Sequence, residues 1–335
     1  MQNIERGPFE QNLNKAEERK NDWQEGLQKT IDGLIERSPY QRSYEGETEV
    51  LYNPEEGERY QVGVIEKADN PDFEKMYGLF DRYVEQMGLV DSAEDMKSWL
   101  MEEEEIKFFY IEKDGEIVSA NCVGLAPIAN EKGERTTEGL LLGHYAATKE
   151  SVRDKGLTKE LFSNVCRFGL ETAKKDGLEL KSFVTEAADR RLNLLFDYQV
   201  EGDRGQEKMK PFYYDQDGNL CEVPYKTPDT GDAYHLMIRR FDGRETISTN
   251  ELLDIVRTVA LDYYEDEEDQ RENVEEWQGV VNDISSVLEK AQVKEIHLLS
   301  YQDIKERKKD LESENKQVIE RESAWEKKER ESREK

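Results

Sequence analysis

The sequence predicts an α+β fold, in which a mixed, mostly antiparallel sheet is flanked by helices, preceded by an N-terminal helix and followed by a helical extension. Strand-like and helix-like periodicities alternate between residues 59 and 241. Two pairs of strand-like runs flank Asp-Gly dipeptides, at 114–115 and 217–218, and this dipeptide favours β-hairpin turns. After Phe241 the chain becomes helical and highly charged, which predicts the extension.

The first element is a polar helix within residues 1–37, because its apolar positions recur at helical spacing. Residues 38–58 are rich in turn-forming side chains and are expected to be a linker. We therefore divide the chain into an N-terminal helix and linker (1–57), a central domain (58–243) and an acidic helical extension with a charged helical tail (244–335).

The central domain opens with a strand near residue 59. A helix follows it, capped by Asn70 or Asp72, and then a second helix opened by Ser92 with Asp95 three residues on, an acidic variant of the capping box. The later elements are a hairpin at 106–128, a strand at 139–148, a helix at 157–177, a strand at 178–187, a short helix at 189–199, and strands at 210–225 and 233–241.

The extension is expected to hold two helices around an acidic run within 248–292. Residues 293–301 fit either a strand or the start of a helix. Beyond them the chain is almost entirely charged, with one apolar residue at each seventh position: Leu311, Val318 and Trp325. This thin seam indicates a coiled coil, and hence a homo-oligomer through the terminal helices.

Composition limits the partners and the compartment. The 335 residues are 36% apolar and 37% charged, and their net charge is -29. A surface this acidic repels nucleic acid and anionic lipid, so neither is an expected partner. The three cysteines are far apart, as in a reducing compartment, and neither they nor the three histidines show metal-site spacing. Without a signal-peptide pattern or a long apolar run, we expect a cytoplasmic protein.

The segment 139–177 has the pattern of an anion-binding loop, because a strand runs through Gly156 into a helix. The first amides of a helix lack intrahelical partners, and the helix dipole is positive there. Gly156 permits backbone conformations that are closed to other residues. Four basic side chains surround it with only Glu150 and Asp154 opposing them: Lys149, Arg153, Lys155 and Lys159.

The run Arg153-Asp154-Lys155-Gly156-Leu157-Thr158 resembles the Q/R-x-x-G-x-G/A loop of the GNAT acyltransferase superfamily. Arg153 and Gly156 match the pattern, and Thr158 stands where Gly or Ala is usual. The resemblance extends to the order of elements from about 59 to 241, and it implies a GNAT-like fold for this central region only.

The resemblance also implies acetyl-coenzyme A as co-substrate. Its pyrophosphate would lie on the amides of the loop from Arg153 to Thr158. The preceding strand would bond the pantetheine arm through its backbone at Tyr145, Ala146, Ala147 and Thr148. The Thr158 side chain would crowd the phosphate, cap the helix or bond the phosphate through its hydroxyl.

Many members of the superfamily place a general-acid tyrosine in an L-Y-x-x-x-G-F pattern. The nearest match is 195–200, where Phe196 occupies the tyrosine position and Tyr198, two residues on, is the candidate acid. Candidate general bases on the central strands are Glu138, His144 and Glu186.

The resulting hypothesis is an acyl-coenzyme A-dependent N-acyltransferase, which transfers an acetyl group by direct attack of an amine. The acidic surface favours a cationic acceptor, either a small-molecule amine or a basic protein. The alternatives are a non-catalytic GNAT-like scaffold and a helical interaction or assembly protein.

Overall fold

The computed structural model describes residues 23–84, 91–102, 106–153, 155–188, 210–216, 220–225, 234–263 and 270–299. Internal contacts divide the chain into two units, residues 1–125 with 137–181 and residues 126–136 with 182–335. The domain boundaries expected from the sequence stay a prediction.

Among its described residues, the first unit combines helices with one sheet. Its helices are α1 (23–36), α2 (Phe73–Val84), α3 (Ala93–Glu102) and α4 (Leu157–Asp176). Its strands are β1 (Gln41–Glu45), β2 (Thr48–Asn53), β3 (Glu58–Ile65), β4 (Lys107–Lys113), β5 (Glu116–Ala129) and β6 (Arg135–Thr148), of which the ends of β5 and β6 belong to the second unit. These strands are neighbours in chain order, and β1 to β5 pair antiparallel. The predicted α+β class, with a mostly antiparallel sheet and an N-terminal helix, is thereby confirmed.

The segment expected to be a linker is instead part of the sheet. It holds β1 and β2, which pair in register from Gln41 opposite Tyr52 to Glu45 opposite Thr48. The prediction was wrong because β1 exposes most of its polar side chains, so its sequence lacks the apolar alternation of a half-buried strand. The helix before it is described from Trp23 onward, and the part expected before Trp23 lies outside the described residues.

Local signals in the central region agree with the observed elements. Asp114 and Gly115 both have positive φ, 53° and 82°, as a two-residue hairpin turn requires. At the start of α3, the Asp95 amide donates to Ser92 Oγ (3.1 Å) and the Ser92 amide to Asp95 Oδ2 (3.3 Å), which confirms the acidic capping box. Gly177 ends α4 with φ 72°, a left-handed C-cap.

Helix α4 lies close to the sheet in this unit. Phe168 packs on Phe109 of β4 with ring centroids 5.8 Å apart. A Cβ atom added at Gly169 would lie 2.5 Å from Leu141 Cδ1 on β6, well inside van der Waals contact. Glycine at this position therefore allows the helix that follows the loop to approach the strand that precedes it.

We expect Gly169→Ala to lower the free energy of unfolding by about 1–3 kcal/mol, because Leu141 is fully buried and has little room to yield. The matched control is Gly279→Ala, also within a helix, where a Cβ would meet nothing within 4 Å. Helix propensity alone should make that variant up to about 1 kcal/mol more stable. Urea unfolding followed by fluorescence checks both variants, and a Gly169→Ala protein as stable as wild type would contradict the close packing.

The described part of the second unit contains two helices and two groups of strands. Its elements are β7 (Glu179–Ala188, from residue 182 onward), β8 (Lys210–Tyr214), β9 (Leu220–Glu222), β10 (Tyr234–Arg240), β11 (Thr246–Ser248), α5 (Thr249–Tyr263), α6 (Gln270–Lys290) and β12 (Glu295–Leu299). Strands β7 and β10 pair antiparallel, and the others form a four-stranded sheet in the order β11-β12-β8-β9. Residues 293–301, for which strand and helix were both open, therefore contain a strand.

Several predicted features lie outside the described residues. These are the short helix at 189–199, the turn at 217–218, and the charged tail with its coiled-coil seam. No helix of the described part of the chain is long and apolar enough to cross a membrane.

Candidate functional site

The loop between β6 and α4 has the unusual backbone conformation that Gly156 predicts. After a short 3₁₀ turn (Glu150–Val152), Arg153 is extended, and Gly156 adopts the left-handed conformation with φ 76° and ψ 8° as the N-cap of α4. A side chain is disfavoured in that conformation, which explains the glycine. Within the helix, the amides of Lys159 and Glu160 donate to the Gly156 carbonyl at 2.9 and 3.3 Å.

The amides of Leu157 and Thr158 precede those first intrahelical bonds. They lie at the positive end of a 20-residue helix, where an anion is stabilised. The Leu157 side chain is buried and fixes the start of the helix. Asp154, the remaining residue of the predicted loop, lies outside the described residues.

The basic side chains around the loop are more fully paired than the local sequence suggested. Lys149 forms an ion pair with Glu116 at the start of β5. Lys155 Nζ lies 3.0 Å from Glu56 and 2.5 Å from Glu58. The prediction that only Glu150 and Asp154 oppose these basic side chains was therefore wrong. The sheet brings carboxylates that are 33 to 99 residues away in sequence next to Lys149 and Lys155.

Arg153 is the most exposed cation of the loop among those with a described ion pair. Its Nε donates weakly to the Thr148 carbonyl at 3.4 Å, and Nη1 lies 3.6 Å from Glu150, with nearly half of the side chain exposed. Lys159, in the first turn of α4, is also exposed, and partial desolvation together with the charge of Arg37 lowers its pKa. Arg153 and Lys159 are thus the side chains best placed to reach an anion in solvent.

The Thr158 hydroxyl turns towards the end of β6. Its Oγ1 lies 3.2 Å from Thr148 Oγ1, which in turn lies 2.8 Å from Oγ of the fully buried Ser119. The Thr158 hydroxyl therefore links the start of α4 to the end of β6.

The strand residues before the loop lie under the helices α2 and α3. Tyr145 stacks parallel to Trp99 with centroids 6.4 Å apart and contacts Phe80 at 5.7 Å, and its hydroxyl donates to Asp91. Burial, reinforced by the charge of Asp91, raises the pKa of Tyr145 above its usual range. Ala147 is buried in the same core and Ala146 is partly exposed, so the two alanines leave little side chain along this stretch.

His144 is packed rather than solvated. Its ring lies 5.9 Å from that of Trp99, and its Nε2 would be 2.9 Å from a Cβ at Gly124 on β5. Desolvation lowers its pKa to about 4, so the imidazole is neutral at pH 7. A neutral imidazole can accept a proton in principle, but a pKa this low makes it a weak base.

Glu138 lies near the start of β6, ten residues before Thr148. At about 3.3 Å per residue, this is roughly 33 Å from the loop. Lys181 Nζ lies 2.9 Å from its carboxylate, which is nearly half exposed. The structure thus keeps Glu138 in a solvated ion pair and away from the other candidates of this unit.

Glu186 has a different environment, within the second unit. It lies on β7 opposite Leu236 of β10, and it accepts a hydrogen bond from the hydroxyl of Tyr225. Tyr225 itself is buried against Trp277, with ring centroids 6.4 Å apart. Desolvation raises the pKa of Glu186 to about 7, although the Tyr225 hydrogen bond acts in the opposite direction. A carboxylate with such a pKa is divided between its two protonation states at neutral pH.

The sequence did not single out Tyr225, because nothing in its local pattern distinguishes it from a core aromatic. A second polar cluster of this unit was also missed, in which Lys210 Nζ lies 2.9 Å from Glu222 and His235 Nδ1 lies 2.8 Å from the same oxygen. Burial alone would raise the pKa of Glu222, but the hydrogen bond from His235 and the charge of Lys210 lower it to about 2.

Among the described residues, no group of three His, Cys, Asp or Glu side chains could hold a metal ion. Tyr198, the candidate acid, lies outside them.

No protein-family model matches the sequence, and neither does any curated protein. Solved structures match part of it. An aminoglycoside acetyltransferase from an uncultured soil metagenomic sample is 16% identical, with 46% of this chain and 95% of the other covered and a TM-score of 0.33. The ribosomal-protein-S18-alanine N-acetyltransferase from Escherichia coli is 13% identical, with 54% and 94% covered and a TM-score of 0.33. The aminoglycoside N-acetyltransferase AAC(6')-Iy in complex with CoA is 17% identical, with 44% and 88% covered and a TM-score of 0.32.

These three proteins are acetyltransferases, and each covers about half of this chain. At identities of 13–17% and TM-scores of 0.32–0.33, no substrate or residue role passes from them to this chain.

Proposed function

We propose that the chain is an acyl-coenzyme A-dependent N-acyltransferase whose catalytic domain comprises residues 58–243. One observation carries the proposal: the loop that resembles the coenzyme-binding motif has Gly156 in a left-handed conformation at the N-terminus of a long helix. The amides of Leu157 and Thr158 would bind the pyrophosphate, and the exposed Arg153 would add a charge-assisted contact. The backbone from Tyr145 to Thr148 would orient the pantetheine arm and polarise the thioester carbonyl.

Acyl transfer to an amine needs a base, since a protonated amine has no lone pair for attack. We assign this role to Glu186, because its carboxylate is desolvated and titrates close to neutral pH. Glu138 is paired with a lysine in solvent and His144 is a weak base, so both are less suited. The acceptor would be an amine, either a small molecule or a basic protein, drawn by the acidic surface.

In the proposed reaction, the neutral amine attacks the thioester carbon and forms the amide bond as the carbon–sulfur bond breaks. The amine proton passes to the general base, for which Glu186 is the candidate, and the thiolate of coenzyme A leaves and takes up a proton. No covalent intermediate with the protein is involved. Tyr198 remains the candidate acid for that protonation.

Isothermal titration of the full chain with acetyl-coenzyme A tests the proposal. We expect binding with a dissociation constant in the micromolar range, and slow release of free thiol once a suitable amine is added. Absence of any binding up to millimolar ligand would rule the function out.

A non-catalytic scaffold is the second candidate. It is favoured by the carboxylates that already pair with Lys149 and Lys155, since these leave less free positive charge for a phosphate. Coenzyme binding with no thiol release across a panel of small amines and basic peptides would support this alternative.

A further inference from the structure

The loop before α4 is held by residues that precede the region of family resemblance. Tyr40 lies just before β1, and its hydroxyl donates to the carbonyl oxygen of Lys155 at 2.7 Å, across 115 residues of sequence. The Tyr40 side chain is buried, and its ring packs edge-on against Tyr60 of β3 with centroids 5.7 Å apart. The donor therefore has a fixed position.

The Lys155 side chain is anchored from the same side. Its ammonium contacts Glu58 at 2.5 Å and Glu56 at 3.0 Å. Glu58 also accepts from Lys113 at 2.7 Å and from the hydroxyl of the fully buried Tyr60. Hydrogen bonds from Lys113, Lys155 and Tyr60 lower the pKa of Glu58 below its usual range, so this anchor stays charged at neutral pH.

The Lys155 carbonyl belongs to the same peptide group as the Gly156 amide. A planar trans peptide directs its C=O and N–H in opposite directions, so a bond that fixes the oxygen also fixes the direction of the amide hydrogen. This matters at glycine above all, because glycine tolerates both signs of φ and the peptide could otherwise flip at little cost.

We propose that Tyr40 is a positioning residue for the loop, because its hydrogen bond to the Lys155 carbonyl selects the one peptide orientation in which the Gly156 amide and the helix amides can meet an anion together. The inference rests on the proposed coenzyme function. It gives the N-terminal strands a role in that function: they pre-organise the loop before the ligand arrives, which lowers the cost of binding. Burial and the charge of Glu160 raise the pKa of Tyr40 above its usual range, so its hydroxyl remains a donor at neutral pH.

The test compares Tyr40→Phe with Tyr44→Phe in the full chain. Both changes remove only a hydroxyl, but Tyr44 lies on β1 with 64% of its surface exposed. In protein labelled with ¹⁵N-glycine, where the Gly156 signal is assigned by its loss in Gly156→Ala, we expect Tyr40→Phe to shift or split that signal without ligand. In titrations with coenzyme A, Tyr40→Phe should bind about fivefold more weakly than wild type, which corresponds to the usual net contribution of one hydrogen bond. Tyr44→Phe should bind coenzyme A as wild type does.

The possible outcomes distinguish a failure of the positioning role of Tyr40 from a failure of the proposed coenzyme function. If wild type binds coenzyme A and Tyr40→Phe binds equally well with an unchanged Gly156 signal, the positioning role is wrong and the proposed function stands. If wild type binds no coenzyme A, the proposed function fails and the positioning role for a coenzyme fails with it. Should Tyr40→Phe not fold, ¹⁵N relaxation of wild type decides: a Gly156 amide much more mobile than Gly169 within α4 would overturn the proposal.

Discussion

Glu186→Gln should reduce acyl transfer by a factor of ~10²–10⁴, the usual contribution of a positioned general base. Glutamine keeps the shape of the side chain and can still accept the Tyr225 hydrogen bond, but it cannot take a proton from the attacking amine. Coenzyme binding should be unchanged. The measurement is thiol release from acetyl-coenzyme A at saturating amine, once the panel has provided an acceptor.

The wild-type rate should also depend on pH with a defined sign. A base acts in its deprotonated form, so activity should rise with pH through an apparent pKa near 7, and this acidic limb should be missing from the residual activity of Glu186→Gln.

The free energy of unfolding should change with pH in the opposite direction to the rate. Folding raises the pKa of the Glu186 carboxyl group, so its ionisation lowers the stability of the folded protein as the pH rises from about 4.5 to above 7. Glu186→Gln should therefore be at least as stable as wild type at pH 8.

Glu138→Gln is the matched control, since it makes the same chemical change at the other candidate carboxylate. It weakens a half-exposed ion pair with Lys181, so activity and its pH dependence should remain those of wild type. Loss of turnover in Glu138→Gln, with an active Glu186→Gln, would reverse the assignment of the base.

The sequence predicted those parts of the fold whose signals are local. The Asp114-Gly115 turn, the capping box at Ser92 and the Gly177 helix end depend on residues only a few positions apart, and each is present. Strand β1 was missed because its partner β2, rather than its own pattern, makes it a strand.

The charges around the loop could not be judged from the sequence for a related reason. Counting neighbours along the chain finds Glu150 near Lys155, but the sheet places Glu56 and Glu58 against it instead. Likewise, the environment of Glu186 depends on Tyr225, 39 residues further on, which no spacing rule connects to it. Gly156 was identifiable because its conformation is a property of one residue, whereas pairing and desolvation are properties of the folded chain.

Gly156→Trp should lower the affinity for acetyl-coenzyme A at least 100-fold, with little more loss of stability than the same change at Gly177. Both glycines are left-handed, at φ 76° and 72°, and a Cβ at either would meet nothing within 4 Å. A side chain should therefore strain the backbone equally, by about 1–2 kcal/mol. The two positions are at opposite ends of α4, about 30 Å apart by helix rise. Only the indole at 156 would occupy the space in front of the free amides. Calorimetric titration and thermal unfolding of both variants provide the measurement, and equal coenzyme affinities in the two would place any coenzyme site away from this loop.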